Sequence, residues 1–247
     1  MRVAIIGRGE AGHAIDRAMT AQGIETLLLS RSSGFDLFDP AGYERLGKLD
    51  AVVEATGTNA INGKAAIDFF TRSTKATAEL VKASGATQHI LLSIVNCEKP
   101  EVQGYGYYAG KAAQEAVARE HHATIVRSTQ WFEFAEQMLS RLRFGLVALL
   151  PKMLIQPVAV DTVAQVITEC VTGERTGKHY DVAGIEAMTL RELAGRTHPK
   201  TFPMPISFRM PGSAGRAFIE GALLPGSAVE LLGPSLSEWL QNRQHTA

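Results

Sequence analysis

Val3-Ala4-Ile5-Ile6-Gly7-Arg8-Gly9-Glu10-Ala11-Gly12 is the stretch that decides the fold. Four apolar residues ending at a glycine read as a buried strand. Glycines at 7, 9 and 12 match G-x-G-x-x-G, and the residues from Ala11 to Gln22 are rich in helix formers. Strand, glycine turn and helix in that order give the pattern its meaning. Gly7 permits the tight turn. Gly9 removes a Cβ that would collide with an approaching pyrophosphate, and Gly12 lets helix and strand pack closely. The N–H groups at the helix start then face the phosphates. The loop from Gly7 through Arg8, Gly9, Glu10 and Ala11 to Gly12 is therefore a candidate dinucleotide cradle.

The pattern continues outward. Thr26–Leu29, Asp50–Val53, His89–Ser93 and Ala123–Val126 are strand-like runs, and Lys64–Ser84 and Tyr107–Glu120 have helical character, the first ended by Gly85 as a C-cap. Strands separated by helices predict βαβ units and a parallel sheet. Their near-continuous apolar runs predict cover on both faces. The expected fold is α/β, a Rossmann-type doubly wound parallel sheet with a small C-terminal substrate-binding portion. Residues 1–130 would form the nucleotide-binding core. Residues 131–247 would be a mixed segment that completes the sheet over about 156–183 and shapes a substrate site, the whole forming one domain. Within it, Val158–Val160 reads as a strand, Asp161 as an N-cap for a helix over 162–171, Lys178–Val182 as a last strand and Thr189 to Glu192 as a capping box. Pro199, Pro203, Pro205 and Pro211 exclude a regular helix or a central strand there.

The end of the second strand bears on the cofactor. An NAD site usually places Asp or Glu about 20 residues beyond the glycines, on the ribose 2′-hydroxyl. No acid lies between Thr26 and Phe35; Arg31 stands there with two serines behind it. A guanidinium pairs with a 2′-phosphate through charge-assisted bonds. The expected cofactor is NADP rather than NAD, with Arg31 and Arg8 on the phosphate.

Tyr107-Tyr108-Ala109-Gly110-Lys111 contains Y-x-x-x-K. At i and i+4, Tyr107 and Lys111 share a helix face. A free tyrosine, with a pKa near 10, is a poor acid/base group at neutral pH. A nearby ammonium stabilises the phenolate and lowers that value. The pair can then exchange a proton with a substrate oxygen. Ser93, at a strand end, could bond the same oxygen, because ligands of open parallel sheets sit at that edge. Tyr108 is the fallback phenol.

In combination these features resemble the atypical short-chain dehydrogenases, in particular their NmrA-like NAD(P)H-binding subgroup. The resemblance rests on the glycine loop, Arg31, Asp36-Leu37, Ser93, the Tyr107-Tyr108 to Lys111 motif, Thr124–Phe134 and Gln156–Val160, and it spans roughly residues 1–195. It implies that Asp36 and Leu37 lie beside the adenine, that Ala55, Thr56 and Gly57 line the cofactor and that Lys111 bonds the nicotinamide ribose. It also implies that Ser128–Phe134 walls the substrate pocket, with Gln130, Trp131, Phe132 and Phe134 as its candidates. Those aromatics read equally well as core. The chain departs from the family in two ways. Ile6 stands where the usual G-x-x-G-x-x-G loop has its first glycine, and the stretch from Arg31 to Asp36 is too short for the usual helix and strand.

Composition narrows the partners. Twenty-five basic residues balance 25 acidic ones over 247 residues, so no basic surface invites nucleic acid or an anionic membrane. Cys97 and Cys170 lack metal-site or redox spacing, and His121-His122, read as a helix C-cap, lacks a third ligand; no metal is expected. No apolar run approaches the roughly 18 residues of a membrane span, and the N-terminus lacks signal-peptide character. These point to a cytoplasmic protein, monomeric or homodimeric, with a small-molecule substrate. The sequence supports an NADPH-dependent oxidoreductase reducing a small organic carbonyl or conjugated substrate. A rival from another class is a non-catalytic NAD(P)-binding sensor or regulator of NmrA type; an isomerase or epimerase on the same scaffold is a further option.

Overall fold

The computed structural model describes residues 1–58, 62–198 and 203–246. Pro199 lies outside the described residues. In chain order the first elements are β1 (Arg2–Ile6), α1 (Glu10–Ala21), β2 (Glu25–Leu29), β3 (Ala51–Glu54), α2 (Gly63–Ser84), β4 (Gln88–Ile94), α3 (Gly106–Glu120) and β5 (Thr124–Ser128). Then come α4 (Phe134–Arg141), β6 (Arg143–Phe144), β7 (Val147–Pro151), β8 (Leu154–Ile155), α5 (Val160–Thr172), β9 (His179–Ala183) and β10 (Met188–Thr189). The last are α6 (Leu190–Thr197), β11 (Met204–Phe208), α7 (Gly212–Ile219), β12 (Glu230–Leu231) and α8 (Leu236–Thr246).

Seven strands form a parallel sheet in the order β12-β9-β5-β4-β3-β1-β2. The chain runs from β1 out to β2, then returns past β1 to β3, which pairs with β1 from Val3↔Ala51 to Ile6↔Glu54. That reversal is the switch point at which open α/β sheets bind ligands, at the C-terminal ends of the strands. The expected Rossmann-type fold is what the chain adopts.

The chain divides into two compact units. The first comprises Met1–Ile94, Tyr105–Arg127 and Asp161–Tyr180. Its centre is the run of β1 and β3 residues that are shielded on both faces, Val3, Ala4, Ile5, Val52 and Val53. α2 is capped at its start by Asn62, whose side-chain oxygen accepts from the N–H of Lys64 at 2.9 Å, and at its end by Gly85 with φ of 69°. Between β2 and β3 there is no α-helix, as the short spacing predicts. Three single turns of 3-10 helix replace it, and Phe35, Leu37, Tyr43 and Leu46 pack as a cluster with Val52 and Leu80. The Tyr43 hydroxyl donates to the carbonyl of Leu37 at 2.6 Å, with Ala76 O at 3.1 Å as a second acceptor.

The second unit comprises Val95–Gly104, Ser128–Val160 and Asp181–Ala247. Its small sheet has the order β11-β7-β6, with β11 parallel to β7 and β6 antiparallel to it. β11 contains Pro205 and lies at an edge, the position that tolerates a residue without an N–H. α6 begins with the expected capping box: Thr189 Oγ1 accepts from Glu192 N at 3.2 Å, and Glu192 Oε2 from Thr189 N at 2.6 Å.

Three expectations need correction. Val158–Val160 is not a strand of the sheet; Val158 makes one isolated bridge to Trp131, and α5 already begins at Val160. Asp161 is therefore not an N-cap. It lies in the first turn of α5, and its carboxylate pairs with Arg17 of α1 at 2.8 Å. β9 does add to the sheet, but the outermost strand, β12, comes from the tail.

Candidate dinucleotide and catalytic site

The three loop glycines have different physical reasons to be there. Gly7 has φ of 122°, and a Cβ on it would strike the carbonyl of Ala55. A Cβ on Gly12 would strike the carbonyl of Gly7 and crowd Leu28. The protein's own packing demands both. Gly9 differs: its backbone is extended, with φ of −84°, and a Cβ there would meet nothing within 4 Å. Nothing inside the chain requires glycine at this position, whereas a pyrophosphate against the backbone would. Gly9 is also the N-cap of α1 and offers no side-chain cap, so the first N–H groups of the helix have neither intrahelical partners nor a capping side chain. The residues present fit a dinucleotide.

Ala55 N donates to Ile6 O and Gly7 N to Leu29 O, both at 2.9 Å, which brings the ends of β1, β2 and β3 level. Ala55 and Thr56 are half-buried and Gly57 is exposed at that edge. Arg8 and Glu10 are exposed, Ala11 is buried, and Arg31 is exposed one residue past Ser30. The two residues implied at the adenine part company. Asp36 is exposed and accepts from Phe38 N at 2.9 Å, while Leu37 is buried in the cluster under the β2–β3 connection.

Ser93 is 3% exposed near the end of β4. Tyr107 and Lys111 converge on Phe70, a fully buried residue of α2. The Tyr107 ring meets it edge-on at 5.5 Å, and the Lys111 Nζ lies 4.7 Å from its ring centre. α3 approaches α2 closely enough for this because Gly110 has no Cβ; one built there would sit 2.6 Å from the Phe70 ring. Lys111 is 3% exposed and donates to Leu92 O at 3.0 Å and to Gln114 Oε1 at 2.8 Å. Tyr107 is half-buried, whereas Tyr108, the fallback phenol, is buried.

The sequence reading missed what lies behind Lys111. Gln114 Nε2 donates to Glu54 Oε1 at 2.7 Å. That carboxylate, fully buried at the end of β3, also accepts from Thr56 at 3.1 Å and Thr74 at 3.0 Å, and contacts His89 Nε2 at 3.3 Å. The signal was present as an acid closing an otherwise apolar strand and a glutamine three residues after the lysine. Nothing in the local pattern says that the two meet.

In the second unit, Gln130 is buried and Trp131 donates from Nε1 to Ser128 Oγ at 3.0 Å. Phe132 is buried with its ring 5.1 Å from that of Trp239, and Phe134 opens α4. A cavity of about 650 Å³ in this unit is lined instead by Glu101, Arg209, Met210, Ser213 and Arg216 among others. None of the four candidate pocket residues borders it. Among the described residues no cluster of His, Cys, Asp or Glu could hold a metal, and no helix is long and apolar enough to cross a membrane.

No family model and no curated protein matches the chain. Solved structures do. A UDP-N-acetylglucosamine 4-epimerase from Bacillus cereus superposes with a TM-score of 0.70 at 14% identity, covering 100% of this chain and 96% of that one. A dTDP-4-dehydrorhamnose reductase from Clostridium acetobutylicum gives 0.70 at 13%, covering 99% and 100%. An NADPH-dependent quinone oxidoreductase from Escherichia coli, complexed with NADPH, gives 0.68 at 15%, covering 98% and 99%. At such identities the likeness is one of fold, the Rossmann-type α/β architecture.

Proposed function

We propose that the chain is an NADPH-dependent oxidoreductase of the atypical short-chain dehydrogenase type, akin to the NmrA-like subgroup, acting on a small organic carbonyl or conjugated substrate in the cytoplasm. The observation that carries the reading is Gly9, the N-cap of α1 at the end of β1, where a Cβ would meet no atom of the protein within 4 Å but would meet a pyrophosphate laid against the backbone. The solved structures that share the fold and carry nicotinamide cofactors support it.

Bound at the switch point, NADPH would supply the hydride. The first N–H groups of α1 would hold the pyrophosphate, and the Arg31 guanidinium would pair with the 2′-phosphate. Tyr107 would give its hydroxyl proton to the substrate oxygen, with the Lys111 ammonium stabilising the phenolate left behind and Ser93 bonding the same oxygen.

The test is direct. NADPH and NADH are titrated against the protein and against Arg31→Glu, and NADPH loss is followed over a panel of quinones, aldehydes, ketones and imines. We expect tighter binding of NADPH than NADH, a preference lost in Arg31→Glu, and turnover abolished in Tyr107→Phe. Equal affinities unchanged by Arg31→Glu would sink the NADP assignment. Tight binding without turnover on every substrate would leave a cofactor sensor in its place.

A further inference from the structure

We propose that Glu54 is a positioning residue for Lys111, acting through the side-chain amide of Gln114. The inference deepens the function proposed above and rests on it, because it concerns how Lys111 is set to meet a nicotinamide cofactor.

Four elements bring the chain together. Glu54 closes β3, Lys111 and Gln114 are i and i+3 on one face of α3, Thr74 comes from α2 and His89 from β4. Glu54, Gln114 and Thr74 are fully buried and Lys111 is nearly so. A lysine ammonium only donates and an ionised carboxylate only accepts, so the two can be joined at a distance only by a group that accepts at one end and donates at the other. Gln114 does this: Oε1 accepts from Lys111 at 2.8 Å and Nε2 donates to Glu54 at 2.7 Å. The orientation of the amide is therefore dictated by its neighbours. Reversed, it would set N–H against ammonium and C=O against carboxylate.

The buried negative charge thus sits one amide away from the buried positive charge, in surroundings where such charges act strongly on each other. Thr74 and Thr56 fix the carboxylate, the carboxylate fixes the amide, and the amide fixes the ammonium beside Phe70. Thr56 belongs as well to the turn after β3 expected to line the cofactor, and Gln114 Nε2 lies 3.3 Å from its hydroxyl. A buried network that served packing alone would hold the fold without caring what Lys111 touches.

A double-mutant cycle separates the two roles. Dissociation constants for NADPH and melting temperatures are measured for wild type, Glu54→Gln, Lys111→Met and the Glu54→Gln/Lys111→Met pair. Glu54→Gln should weaken NADPH about tenfold (~1.4 kcal/mol) in the wild-type background. In the Lys111→Met background it should change affinity by less than about twofold, because its target is gone. The exchange variant Glu54→Gln/Gln114→Glu keeps one carboxylate and one amide in the chain, with donors and acceptors still matched. It should bind NADPH within about threefold of wild type. An equal loss in both backgrounds, or no loss in either, overturns the proposal and leaves the function standing. A wild-type protein that binds neither NADPH nor NADH overturns the function and this inference with it. If Glu54→Gln does not fold, the exchange variant decides: folded and wild-type-like supports positioning, whereas folded and as weak as Lys111→Met overturns it, as does failure to fold.

Discussion

Three glycines in one loop answer to two different demands, and substitution can tell them apart. In Gly12→Ala the new Cβ meets a backbone carbonyl that cannot move without opening the turn. The expected loss is roughly 3 kcal/mol or more, the range of severe steric substitutions. In Gly9→Ala the new Cβ enters open space from an ordinary extended backbone, so only N-cap preference is lost, about 1 kcal/mol or less. NADPH affinity should nevertheless fall by roughly tenfold or more in Gly9→Ala, as a Cβ displaces the pyrophosphate. Denaturant midpoints and NADPH titrations on both variants check this. A Gly9→Ala protein with wild-type affinity would remove the main support for a dinucleotide at this loop. The glycine spacing was legible in the sequence, but that Gly9, unlike Gly7 and Gly12, faces open space was not.

At the scale of elements, the proposed function asks most of α3, which carries Tyr107, Lys111 and Gln114. Gly110 sets its distance from α2. An ion pair ties it to β5: Arg127 Nε and Nη2 meet the two oxygens of Glu115 at 2.7 and 2.6 Å, with Arg127 7% and Glu115 1% exposed. Removing one partner strands the other's charge. Arg127→Met should cost about 3 kcal/mol, the lower end for a broken buried pair, because Arg119 still reaches Glu115 at 2.7 Å. Glu115→Leu/Arg127→Met should cost less than Arg127→Met alone, and urea unfolding at an unchanged m-value reads the difference. A double variant less stable than the single one would contradict it. Element ends were legible where their chemistry is local. The Thr189–Glu192 box could be read directly, and Ser235-Leu236-Ser237-Glu238 carries the same signal at the start of α8, with Ser235 N donating to Glu238 at 2.8 Å. Val158–Val160 misled because three apolar β-branched or small residues suit a strand and a helix start alike.

At the scale of the whole molecule, the shortened β2–β3 connection leaves a mark on stability. Burial, and then the carboxylates of Glu79, Asp36 and Asp39, push the Tyr43 hydroxyl from 10.0 to about 12. The folded state keeps this proton while the unfolded chain loses it. Stability from Tyr43 is therefore complete below pH 10 and declines between pH 10 and about 12, by at most about 1.4 kcal/mol per pH unit. Tyr43→Phe should be less stable near neutrality by about 1 kcal/mol, from the lost hydrogen bond, yet flatter across that alkaline range. Urea midpoints at about pH 9 and about pH 11 for both proteins test this, and parallel declines would refute it. The sequence by itself determined the βαβ order, the sheet, the glycine turn after β1 and the missing helix after β2, because apolar runs, glycines and spacing act over a few residues. Only the tertiary structure decided that β12 closes the sheet, that Leu37 packs into the core and that Glu54 reaches Lys111 through Gln114. Those outcomes depend on residues tens of positions apart becoming neighbours, and burial gives their polar contacts a strength that nothing in local spacing encodes.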